Sequence, residues 1–96
     1  MVYYDKKNYS FVRFEDSHKK EKKYNAVIRN NKNGRDVRIP FGDSTMEHYK
    51  DSTGLGLWAH KDHKNNKRRE LFHKRHNVFL RPGYYSPSYF SINFLW

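Results

Sequence analysis

Asn33-Gly34 stands between two segments whose apolar residues alternate, and no other feature constrains the fold of this chain as tightly. A type I′ hairpin turn needs positive φ at both central residues, and Asn-Gly adopts it most readily. Before the pair, residues 23–29 (KYNAVIR) put Tyr24, Ala26 and Ile28 on one face and Asn25 and Val27 on the other. After it, residues 35–41 (RDVRIPF) bring Val37, Ile39 and Phe41 together. Pro40 has no N–H to donate, which suits an edge strand or a strand end. Residues 9–14 (YSFVRF) read as a further strand, with Tyr9 and Phe11 on one face and Ser10, Val12 and Phe14 on the other. The lysine-rich residues 15–23 connect it to the hairpin. The expected result is a three-stranded antiparallel meander.

The second half is helical in pattern. Ser44 and Glu47 have capping-box spacing and predict a short helical turn. Leu57-Trp58-Ala59 is a brief apolar patch in a turn-rich stretch. Over residues 66–76, Leu71, Phe72 and Arg75 recur at helical spacing, Arg68 lies one turn from Phe72, and the other face is almost wholly basic. Ser86-Pro87 offers an N-cap followed by Pro at the first helical position, opening a closing helix that runs toward Trp96. The fold class expected is α+β: one small domain over residues 1–96, combining the meander, a basic helix and an aromatic C-terminal helix.

A 96-residue chain has room for only a small core, and its hydrophobic content is 35%. Aromatic residues make up 18%, so the apolar area is concentrated in rings that each bury a large surface. There is no cysteine, which removes disulfide staples and thiolate zinc sites. No apolar run approaches the roughly 20 residues of a membrane span, and residues 1–7 lack a signal-peptide core. An intracellular or particle-bound setting is expected.

The net charge is +10 and the isoelectric point is near 9.9. Self-repulsion at that density favours an acidic partner. The cations concentrate at Lys61, Lys64, Lys67, Arg68, Arg69, Lys74 and Arg75, against Asp62 and Glu70 alone. These seven are the candidate contacts to phosphate or to an acidic protein, although a solvated helix face would have the same composition. His60, His63, His73 and His76 form two H-x-x-H pairs. Imidazoles without a carboxylate or thiolate, set among Lys and Arg, make a poor dication site, so no metal or other cofactor is expected. Glu47-His48 and His60 with Asp62 carry acid–base character, but no nucleophile or paired acidic ligands accompany them. No enzyme is expected. From Phe79 onward seven of 18 residues are aromatic, and residues 84–96 hold no Lys or Arg. Base stacking wants rings interleaved with cations, so these rings read as core or as a protein-interface anchor: Tyr84, Tyr85, Tyr89, Phe90, Phe94 and Trp96.

A set of short motifs runs through the chain: Lys23-Tyr24-x-Ala26-Val27, Phe41-Gly42, Met46-x-His48-Tyr49-x-Asp51, His60-Lys61-Asp62, the basic stretch from Arg68 to Arg75-His76, Ser86-Pro87-x-Tyr89-Phe90-Ser91, and Phe94-Leu95-Trp96. In this order they resemble a family of small basic proteins of unassigned function from large double-stranded DNA viruses of eukaryotes, algal and amoebal viruses among them. The resemblance implies a setting in the virus particle, where small proteins cement the shell and basic proteins condense the genome. The expected function is therefore a minor capsid protein that bridges larger shell proteins through its basic segment and its aromatic tail. The alternative is a non-specific nucleic-acid-binding protein, with a small metal-dependent nuclease a distant third.

Overall fold

The computed structural model describes residues 2–17, 19–81 and 83–96. In chain order its elements are β1 (Tyr4–Asp5), β2 (Tyr9–Asp16), β3 (Lys22–Asn30), β4 (Asp36–Asp43), α1 (Asn66–His76), β5 (Tyr84–Tyr85) and α2 (Pro87–Phe94). Single 3₁₀ turns at Ala59–Lys61 and Asn77–Phe79 flank α1. The architecture is α+β. β2, β3 and β4 form an antiparallel sheet with β3 at its centre, and α2 packs against β4 over its inner face. No helix among the described residues is long and apolar enough to cross a membrane.

The meander forms where expected, but its turn differs. Asn33 is not in the left-handed region; Gly34 alone is, at φ +72°. The Asn30 side-chain carbonyl accepts from the N–H groups of Lys32 and Asn33, and Gly34 N–H donates to the Asn30 main-chain carbonyl at 2.8 Å. The side chain thus holds residues 31–33 in a right-handed turn, and only the closing residue must be glycine.

β2 corrects a second expectation. Phe11 pairs with Ile28 and Arg13 with Val27, leaving Val12 as an extra residue in a bulge. One extra residue reverses the alternation beyond it. Phe14 therefore joins Phe11 on the inner face, with their rings 4.8 Å apart. On β3, Tyr24, Ala26 and Ile28 point inward as the alternation predicts, and with Ile39, Phe41, Phe90 and Leu95 they make the core. Phe90 sits among the rings of Phe41, Phe14 and Tyr85 at 5.5–6.0 Å.

The outer face of β3 is buried too. Val27 lies between Arg13 of β2 and Arg38 of β4 in the ladder, and both guanidiniums pair with Glu15. Arginine stems of this kind cover apolar surface while their heads stay wet.

The turn after β4 is capped by Asp43 rather than Ser44, and no helix follows it. The Asp43 carboxylate accepts from both the N–H and the hydroxyl of Thr45, while Glu47 turns away to Arg68 at 3.0 Å. α1 has its expected bounds, with the Asn65 side chain accepting from Arg68 N–H. α2 begins as Ser86-Pro87 predicts, the Ser86 hydroxyl accepting from Tyr89 N–H. The β1–β5 ribbon, joining Tyr4 to Tyr85 and Asp5 to Tyr84, was not foreseen, since two-residue strands carry no alternation to read.

Candidate interaction face and the buried polar network

The segment between β4 and α1 has little regular structure, so something else must hold it against the sheet. That role falls to a lysine. Lys23 is on the outer face of β3, yet it is only 1% exposed. Its ammonium donates to the Met46 carbonyl at 2.7 Å and to His48 Nδ1 at 2.8 Å. His48, fully buried, passes the connection on through Nε2 to Asp62 at 2.5 Å. The same Asp62 oxygen accepts Asp51 N–H at 2.8 Å. Asp51 in turn accepts the Tyr24 hydroxyl, Trp58 N–H and both the N–H and hydroxyl of Thr53. Trp58 closes the circuit by donating its indole N–H to the Lys23 carbonyl at 3.2 Å.

The chemistry of each group follows from this wiring. Because Lys23 donates to Nδ1, the His48 proton lies on Nε2, toward Asp62. Burial, aided by the Lys61 charge, pulls the Lys23 ammonium down to about 8. Burial also lowers the His48 pKa, and the adjacent Lys23 charge adds to the effect. The Tyr24 phenol is pushed up to about 12 by burial and by its bond to Asp51. A fully connected buried network of this kind rigidifies what it joins. Here it fastens residues 46–62 to the central strand.

The seven basic residues divide into groups. Arg68 is tied to Glu47, and Arg69 donates to the main-chain oxygen of Trp96 at 2.6 Å with its guanidinium 5.0 Å from the Tyr49 ring. Lys61 is half-buried beside the network. Lys64, Lys67, Lys74 and Arg75 are exposed and have no acidic partner among the described residues. Lys67 and Lys74 are two turns apart on one face of α1 with Leu71 between them, and Val78 follows in the 3₁₀ turn after the helix. Leu71 and Val78 are both exposed, Val78 at 78%. The outward side of α1 thus carries the exposed Leu71 among cations without acidic partners, and the 3₁₀ turn after it carries the exposed Val78.

The histidines do not converge. His60 stacks on Trp58, His63 lies 5.1 Å from the Trp96 ring, and His76 stacks on Phe72 at 3.8 Å. No group of three or more His, Asp or Glu among the described residues is placed to hold a metal ion. The aromatic tail is turned largely inward. Phe90 is 1% exposed and belongs to the core of this chain, the first of the two roles its sequence allowed. Tyr85, Tyr89, Phe94 and Trp96 pack on the core, Trp96 lying flat on Phe72 at 4.2 Å. Tyr84 alone of the six is exposed.

Sequence reasoning marked His48 and Asp62 only as separate acid–base residues and did not connect them with Lys23, Asp51 or Trp58. A signal was present. Lys23-Tyr24, His48 with Asp51, and Asp62 lie in three of the short motifs noted in the sequence, and in the fold they meet. Comparison with protein-family models, with curated proteins and with solved structures finds no match.

Proposed function

We propose that this chain is a structural component of a virus particle, a minor capsid protein that bridges larger shell proteins by docking α1 on an acidic surface. The observation that carries the reading is the outward face of α1 and the turn after it, where Lys67, Lys74 and Arg75 lack acidic partners near the exposed Leu71 and Val78. Charged residues mixed with an apolar stripe suit a protein neighbour, which offers both carboxylates and apolar side chains. The viral setting rests on the motif resemblance. The reading is non-enzymatic: Lys23 and His48, whose proton affinities are both lowered by burial, are closed off from solvent and fasten a loop. Quantitative mass spectrometry of purified particles of the encoding virus tests the proposal. It expects the chain at a fixed stoichiometry to the major shell protein, and absence from the particle would end it.

A second reading, non-specific binding of nucleic acid, is favoured by the same unpaired cations together with the exposed Lys64 just before α1. It expects duplex binding that weakens steeply with salt. Affinity unchanged by charge reversal of Lys67, Lys74 and Arg75 would dismiss it.

A further inference from the structure

Beside the outward face of α1 lies a groove of about 390 Å³, between that helix, the end of β4 and α2. Phe72 and Trp96 contribute apolar surface to it, with the buried Phe41 and Leu95 beneath. Met46 and Phe79 stand at its lip and are 54% and 44% exposed. Exposed apolar side chains gathered at one concavity mark an interaction site more often than scattered ones do. Lys22 and Arg75 also line the groove. Two carboxylates are there as well: Glu47 is paired with Arg68, and Asp43, which accepts from Thr45, stands opposite Lys22 in the ladder.

We infer that this groove receives one large apolar side chain of an acidic partner protein, carried on a segment in which carboxylates flank that residue. The inference rests on the acidic-partner reading above and specifies the chemistry of the partner. Three observations select this occupant. The volume exceeds that of a phenylalanine or leucine side chain and would leave solvent against apolar walls if a polar residue entered it. The cations at its edge, Lys22 and Arg75, are placed to meet carboxylates on either side of the inserted residue. A second copy of this chain brings a further +10 of charge to the same place and is repelled.

The test uses the full chain and two fluorescein-labelled peptides, DEEFEED and DEEGEED, read by fluorescence polarisation at low salt. The expected result is that DEEFEED binds about ten-fold or more tightly than DEEGEED, as burial of one phenylalanine side chain implies. Met46→Glu, a change at an exposed lip position that leaves the core intact, is expected to remove that difference. Ser91→Phe, which fills the groove from α2, is expected to do the same while the binding of DEEGEED stays unchanged. Equal affinities of the two peptides for the native chain would overturn the groove assignment and leave the acidic-partner reading standing. Failure of both peptides to bind would overturn both. Displacement of DEEFEED by a single-stranded oligonucleotide, with loss of oligonucleotide binding in Met46→Glu, would assign the groove to nucleic acid and overturn the inference.

Discussion

At the residue scale, Lys23 and His48 make the network sensitive to pH in two directions. His48 has a folded pKa below its ordinary value, through burial and the Lys23 charge. In the window below about 6.5 the unfolded chain binds a proton that the folded chain refuses, so stability falls as the solution is acidified. His63, also lowered by burial, acts in the same sense. The melting temperature is expected to fall between pH 7 and 5.5, above the range in which the carboxylates titrate. His48→Gln should flatten that slope more than His63→Gln does. Lys23 behaves in mirror fashion. Its folded pKa of about 8 lies below the ordinary lysine value of 10.5, so between pH 8 and 10 the unfolded chain holds the extra proton and stability rises with pH. Above pH 10 the raised Tyr24 opposes this, because the folded chain then keeps a proton that the unfolded one releases. Thermal melts of Lys23→Met should show no rise from pH 8 to 10. They should also show a loss of about 1–3 kcal/mol at neutral pH, since the Met46 carbonyl and His48 Nδ1 lose their donor.

At the scale of elements, two backbone features decide how the sheet meets α2. Gly42 has φ +78°, and a Cβ there would lie 2.8 Å from Leu95 Cδ1. Gly34 has φ +72° with nothing within 4 Å of the same position. Both substitutions to alanine carry the left-handed backbone cost of about 1 kcal/mol or more. Gly42→Ala adds a collision with the core, and urea denaturation should show it clearly the more destabilised of the two. The β2 bulge gives a less intuitive outcome. Deleting Val12 leaves Phe11 opposite Ile28, Arg13 opposite Val27 and Phe14 opposite Ala26, which is a regular ladder. The deletion variant should keep a cooperative unfolding transition. Deleting Val27 from the unbulged central strand should abolish it, because half of the inward set would then face out. These features also mark where the sequence was readable. β3, β4, α1 and the start of α2 follow from long alternation, helical spacing or a capping pair. The face of Phe14 did not, because a bulge leaves no mark in the pattern of apolar residues. The type of the hairpin turn did not, because Asn30 acts from outside the Asn-Gly pair.

At the scale of the whole molecule, opposite fates befell the two features most prominent in the sequence. The aromatic tail packs into the chain's own core, and of the six rings from Tyr84 to Trp96 only Tyr84 is exposed. The basic stretch splits: Arg68 and Arg69 hold the fold together, while Lys64, Lys67, Lys74 and Arg75 remain available. Composition gave the net charge of the chain. It could not give the division of labour, which depends on residues brought from far apart in the chain. Lys23, His48 and Asp62 are likewise 25 and 14 residues apart, the first on β3 and the other two in the irregular segment between β4 and α1, so no local pattern joins them. The most direct test of the docking account is zero-length carbodiimide cross-linking of intact particles, which joins lysine amines to carboxylates in contact with them, followed by peptide mass spectrometry. The account predicts cross-links from Lys67 and Lys74 to aspartate or glutamate of a larger shell protein. Recovery of the chain with both amines unmodified, or its release intact from the shell by nuclease treatment, would contradict it.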